Sequence, residues 1–111
     1  MSLDVSLYDP TATYKVGYLY WSNITHNLNE MAEAAGIYKA LWRPEEINAK
    51  FAKDIIPIVE RGLNDLKARP DYFKQFNSPN GWGMYKNFVY FVEEYLDALK
   101  RYPESTIEIS I

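Results

Sequence analysis

The chain has no cysteine and a single histidine in 111 residues. Without thiols there are no disulfides and no thiolate nucleophile, and such usage fits a reducing cytoplasm. One histidine cannot supply the roughly four ligands of a structural zinc site, so no metal is expected. No glycine-rich phosphate loop appears either, and no cofactor is implied. Basic runs are also missing. The longest is Lys100-Arg101, and twelve basic residues are interspersed with fifteen acidic ones for a formal net charge of −3. Duplex nucleic acid needs a concentrated basic face to neutralise its phosphates, so it is not an expected partner. No apolar run reaches membrane-spanning length. The opening "MSLDVSLYD" lacks the basic start and apolar stretch of a secretory signal. A cytoplasmic setting without a membrane partner is expected, and the sequon Asn23-Ile24-Thr25 is then a coincidence.

Aromatics are what the chain has in excess: ten Tyr, five Phe and three Trp, 16% of the sequence. Such rings either fill the core of a small domain or present a surface that stacks on a flat ligand or a partner. The length fits one domain, residues 1–111, with a modest core.

Periodicity gives the order of elements. "LDVSLY" alternates Leu3, Val5 and Leu7 against Asp4, Ser6 and Tyr8, as a half-buried strand does. A turn led by Asp9-Pro10 precedes a second, aromatic strand over 14–22. Gly17 inside that strand signals a bulge or a close backbone approach. Ile24, Leu28, Met31, Ala32 and Ala35 share one face of a helix over 24–35, which Gly36 ends. A short helical turn covers 37–42. From Pro44 a long apolar stripe runs to about residue 68, kinked at Pro57. A short helix over 69–76, the breaker cluster "NSPNGWG" (77–83) and a strongly patterned helix over 82–102 follow. "STIEISI" (105–111) closes the chain as a strand expected to pair with the first. The expected fold is α+β: a small antiparallel sheet from the terminal strands, with three to five helices packed on one face. Edge strands so rich in aromatic and isoleucine residues would suit a homodimer formed by sheet extension.

Three stretches carry the polar chemistry. On a helix beginning at Ile24, Asn23, His26, Asn27 and Glu30 fall at i, i+3, i+4 and i+7, one face away from the apolar stripe. His26 and Glu30 are spaced to pair, which would leave a protonated donor flanked by two amides. The same residues also read as an ordinary helix start, with Asn27, Asn23 or Thr25 as the cap. Arg43, in "LWRPEE", is either an exposed residue at a helix start or a fork for an anion. In "FNSPNGWGMY" the loop holds Asn80, places Trp82 between two glycines and leads into Tyr85. A ring set between glycines builds a core poorly and presents a ligand surface well.

Taken together, ITHNL, AGIY, LWRPEE and NGWG-x-Y resemble a family of small uncharacterised proteins of bacteria, prophages and phages, over about residue 20 to the end. The resemblance implies a bacterial or phage-infected cytoplasm and no mechanism. The residues themselves leave three readings. The first is a non-catalytic binding module for a small polar or nucleotide-like ligand, built from Asn23, His26, Asn27, Glu30, Arg43, Asn80, Trp82 and Tyr85. The second is a protein–protein interaction or inhibitor module acting on a host protein through the aromatic surface. The last is a small hydrolase or lyase with His26 and Glu30 as acid and base, although no nucleophile or metal set accompanies them.

Overall fold

The computed structural model describes residues 2–11 and 17–111. The end of the first turn and the expected start of the second strand lie outside those residues. Three strands form one antiparallel sheet in the order β2-β1-β3, with β1 at Ser2–Tyr8, β2 at Tyr18–Thr25 and β3 at Thr106–Ser110. The first and last strands pair as their alternation requires, with Val5 opposite Ile109 and Leu7 opposite Ile107. Directly opposite residues share a face. Leu3, Val5 and Leu7 are fully buried beneath the helices, and Tyr20, Ser22 and Ile24 of β2 stand beside them. Asp4, Ser6 and Tyr8 point to the other face, where Trp21 and Tyr18 stay exposed and none of the described helices packs. The register slips between the Leu7–Tyr20 and Tyr8–Tyr18 pairs, so the extra residue of the bulge is Leu19 on β2. Gly17 is a buried turn residue just before β2, and its carbonyl accepts from the Asp9 N–H at 2.7 Å.

Five helices make the second layer: α1 Asn29–Ala34, α2 Tyr38–Trp42, α3 Ala52–Ala68, α4 Pro70–Lys74 and α5 Tyr85–Arg101. The domain is thus α+β, a small sheet with helices on one face. α3 and α5 carry the longest apolar stripes and pack on each other. Ile55, Val59, Leu63 and Leu66 of one helix and Phe88, Val92, Tyr95 and Leu99 of the other are buried. The Tyr85 hydroxyl donates to the Leu66 carbonyl at 2.6 Å and fastens the start of α5 to the end of α3. Lys67–Glu93 and Lys100–Glu60 ion pairs bridge the two helices at the surface, where such pairs contribute little. Among the described residues no helix is long and apolar enough to cross a membrane.

Two expectations are corrected. The helix expected from residue 24 begins later: β2 continues to Thr25, a 3-10 turn covers His26–Leu28, and α1 follows. Ser22 and Ile24 sit inside the sheet ladder opposite Val5 and Leu3, and strand pairing overrides a helical spacing that the sequence shares with it. The long stripe from Pro44 is also two elements. Pro44–Ile47 forms a 3-10 turn that ends where Asn48 takes a left-handed conformation, φ 58°. Lys50 and Phe51 then run alongside β3, where the Ile107 N–H donates to the Lys50 carbonyl at 2.9 Å. Only after that seam does α3 start. Pro57 lies inside α3 without ending it.

Candidate functional site

The site is built where β2 passes into α1. Thr25 is still extended, φ −67° and ψ 145°, and its hydroxyl oxygen accepts from the Asn27 N–H at 3.3 Å. Of the three candidate caps, Thr25 is the one used. Leu28 is driven into the core, which leaves His26 partly exposed and Asn27 exposed on the outer side of the turn. Gly36 closes α1 with φ 76°, and the Ile37 N–H reaches back to the Ala32 carbonyl at 3.0 Å. This Schellman ending needs a left-handed residue, and glycine adopts it without strain. It redirects the chain into α2, which carries Trp42 back towards His26.

The imidazole is held from behind. Trp42 is 3% exposed, and its indole N–H donates to His26 Nδ1 at 3.0 Å. A nitrogen that accepts this bond carries no hydrogen, so the ring proton sits on Nε2. The expected pairing of His26 with Glu30 is not seen: no ion pair joins them among the described residues. Glu30 is exposed in the first turn of α1.

Opposite stands the breaker loop, folded onto itself by short bonds. The Ser78 N–H donates to the Gly83 carbonyl at 3.1 Å, and the Asn80 side-chain oxygen accepts from the Trp82 N–H at 2.9 Å. Asn77 accepts from the Tyr85 N–H at 2.7 Å and so caps α5 from across the loop. The Asn27 amide donates to the Trp82 carbonyl at 2.8 Å, which docks the loop on the 3-10 turn. Gly83 makes that approach feasible. Its φ is 112°, and a Cβ there would lie 2.9 Å from the Asn27 Cβ. The Trp82 ring is left 71% exposed at the tip.

Between the two parts lies an open cleft of about 670 Å³. Asn23, Ile24 and Thr25 line it from β2, His26 and Asn27 from the turn, and Asn80 and Trp82 from the loop. Ser2 joins them because it pairs with Thr25 in the sheet. Five of the eight residues expected from sequence therefore meet: Asn23, His26, Asn27, Asn80 and Trp82. Glu30, Arg43 and Tyr85 do not line the cleft. Arg43 stands at the junction of α2 and the 3-10 turn, and Tyr85 spends its hydroxyl on Leu66. Sequence reasoning missed Ser2, which only the sheet register brings in, and Trp42, whose role is legible only from its bond to His26. Among the described residues the lining carries amides, hydroxyls, one imidazole and one free ring, and no carboxylate, ammonium or guanidinium.

A second groove of about 420 Å³ runs along α3 and α5 beside Tyr90, Glu93, Glu94 and Asp97. Glu93 and Asp97 are already engaged by Lys67 and Arg101, so this is the solvated face of a helix pair. Among the described residues no three potential metal ligands gather. No protein-family model, curated protein or solved structure matches this chain.

Proposed function

We propose that this protein is a non-catalytic binding module whose cleft receives a small, uncharged, polar molecule with a flat ring, of the nucleobase or nucleoside kind. The observation that carries this reading is the Trp82 ring, exposed at the rim of a cleft lined with amides and fixed there through its own backbone carbonyl. A stacked base contributes about 1–3 kcal/mol on an aromatic ring. Asn23, whose side-chain amide makes no hydrogen bond among the described residues, offers a donor and an acceptor side by side, the pattern that matches the edge of a purine. The His26 Nε2–H adds a donor. Among the described residues the lining has no cation, which favours a nucleoside over a nucleotide and narrows the ligand expected from sequence. A bacterial or phage-infected cytoplasm is the proposed setting, supported by the lack of cysteine and by the resemblance noted above.

A thermal-shift series with nucleosides and their monophosphates tests the reading. Ligand at 100 times its dissociation constant adds about 2.7 kcal/mol, which moves the melting of a domain this size by several degrees. The expected result is a shift with at least one nucleoside, no larger with its phosphate, and lost in Trp82→Ala and Asn23→Ala. A flat series, a response to phosphates alone, or a shift that survives Trp82→Ala would overturn it. Turnover of a bound nucleoside that disappears in His26→Ala would instead favour the hydrolase or lyase reading.

A further inference from the structure

The face of the sheet turned away from the helices holds a second recess, independent of the nucleoside reading. It measures about 370 Å³. Its middle is Ser6 on the central strand, with Trp21 of β2 directly across on one side and Glu108 of β3 directly across on the other. Strand spacing of about 4.8 Å sets those two residues roughly 10 Å apart over a short side chain, so the three form a trough. One step along β1, Asp4 stands at one end and Tyr8 at the other, and Tyr8 meets Tyr18 edge to face with ring centroids 5.1 Å apart. Trp21 is 51% exposed and Tyr18 43% exposed. Large rings left open together on a sheet face mark a contact surface.

We propose that this trough binds a small organic cation of the quaternary-ammonium class. The lining offers two carboxylates and three aromatic rings, and no basic side chain among the described residues. That is the set a cation seeks, since ring faces and carboxylates both attract positive charge while the rings accept its methyl groups. A second copy of the chain docked face to face would bring Asp4 and Glu108 against the same carboxylates, which disfavours self-association here. Ser110 within the lining and the neighbouring outward positions Asn23 and Thr106 are small or polar, so the aromatic contact is confined to the trough and the occupant is the size of a single headgroup.

Choline and its uncharged carbon isostere, 3,3-dimethylbutan-1-ol, are titrated at constant ionic strength into the full chain with nitrogen-15-labelled tryptophan. Three indole N–H signals report separately on the trough (Trp21), the core (Trp42) and the cleft (Trp82). The expected result is a saturable, millimolar movement of the Trp21 signal with choline, about two- to fivefold weaker with the isostere, as expected for cation–π contact at an exposed site. Trp21→Leu and Glu108→Gln should each weaken choline binding several-fold with melting unchanged, because both side chains are exposed. Equal response to both ligands, movement of Trp82 instead of Trp21, or no response overturns the proposal. So does a lysine-rich peptide that binds the face when choline does not. Failure here leaves the nucleoside reading untouched, since Trp82→Ala and Trp21→Leu separate the two sites.

Discussion

At the residue scale, two positions turn local geometry into measurable consequences. Gly83 combines a φ of 112° with a backbone laid against Asn27. Gly83→Ala meets both a strained conformation and a contact that neither backbone can relieve, so it should cost about 1–3 kcal/mol and move the loop off the turn. Thermal melting reads the first effect, and the side-chain amide signal of Asn27, freed from the Trp82 carbonyl, reads the second. If melting falls while that amide is undisturbed, the loop is not docked as described. Tyr95 behaves in the opposite sense. It is fully buried between Tyr20 and Phe91, and its hydroxyl has no hydrogen-bond partner among the described residues. Burial accordingly pushes the phenol well above its ordinary range, with the nearby Tyr20 adding to the shift. A buried hydroxyl without a partner is a net cost of roughly 1–3 kcal/mol, so Tyr95→Phe should leave stability unchanged or raise it. Urea unfolding gives the answer. A loss of more than about 1 kcal/mol would mean that the hydroxyl is satisfied in solution.

At the scale of elements, the sequence was readable where one signal dominated. The alternation of Leu3, Val5 and Leu7 and of Ile107 and Ile109 sufficed for β1 and β3, and the stripe from Tyr85 to Leu99 sufficed for α5. It misled where two periods coincided. Ile24 and Leu28 are four apart, as on a helix, yet one lies in a strand and the other in a 3-10 turn. Phe51 continued the stripe from Ile47 only in sequence, because pairing of Lys50 and Phe51 with β3 outweighed helix continuation. The candidate site shows the same division. Asn27 and Trp82 were singled out separately by their chemistry, but the bond between them joins residues 55 apart and no local pattern announces it. Tyr85 illustrates the error that follows. Its place beside the NGWG loop suggested a ligand contact, whereas its hydroxyl ties α5 to α3. Tyr85→Phe should therefore lower stability by about 1 kcal/mol, the worth of one such bond, and leave affinity for any cleft ligand unchanged. A change in affinity at constant stability would return Tyr85 to the site.

At the scale of the molecule, the helical layer and the sheet are joined by a short seam, and a carboxylate at that seam predicts how stability should respond to acid. After Asn48 the chain lies against the β3 end: the Ile107 N–H donates to Lys50, the Ala52 N–H to Ser105, and the Lys53 N–H to Pro103. Asp54 holds this crossing by accepting from the Phe51 N–H at 2.9 Å and the Lys50 N–H at 3.0 Å, which satisfies donors that a helix start leaves open. Those two bonds, Phe51 first, hold the Asp54 carboxyl below its ordinary range, and the Arg69 guanidinium does the same to Asp65. A carboxyl whose folded value lies below its unfolded one binds fewer protons when folded. Its stabilising effect is complete above the unfolded value, near pH 4, and disappears as pH falls through the lower folded value. Melting temperature should thus be nearly flat from about pH 7 to pH 5 and decline below about pH 4. Asp54→Ala removes the contact at the seam and should cost about 1 kcal/mol at neutral pH, the usual worth of a helix-start acceptor. The gap between variant and parent should then close on acidification, because protonation takes from the parent what the substitution has already taken. Parallel melting curves across the whole pH range would show instead that the Asp54 side chain acts through packing, and that its charge does not hold the two layers together.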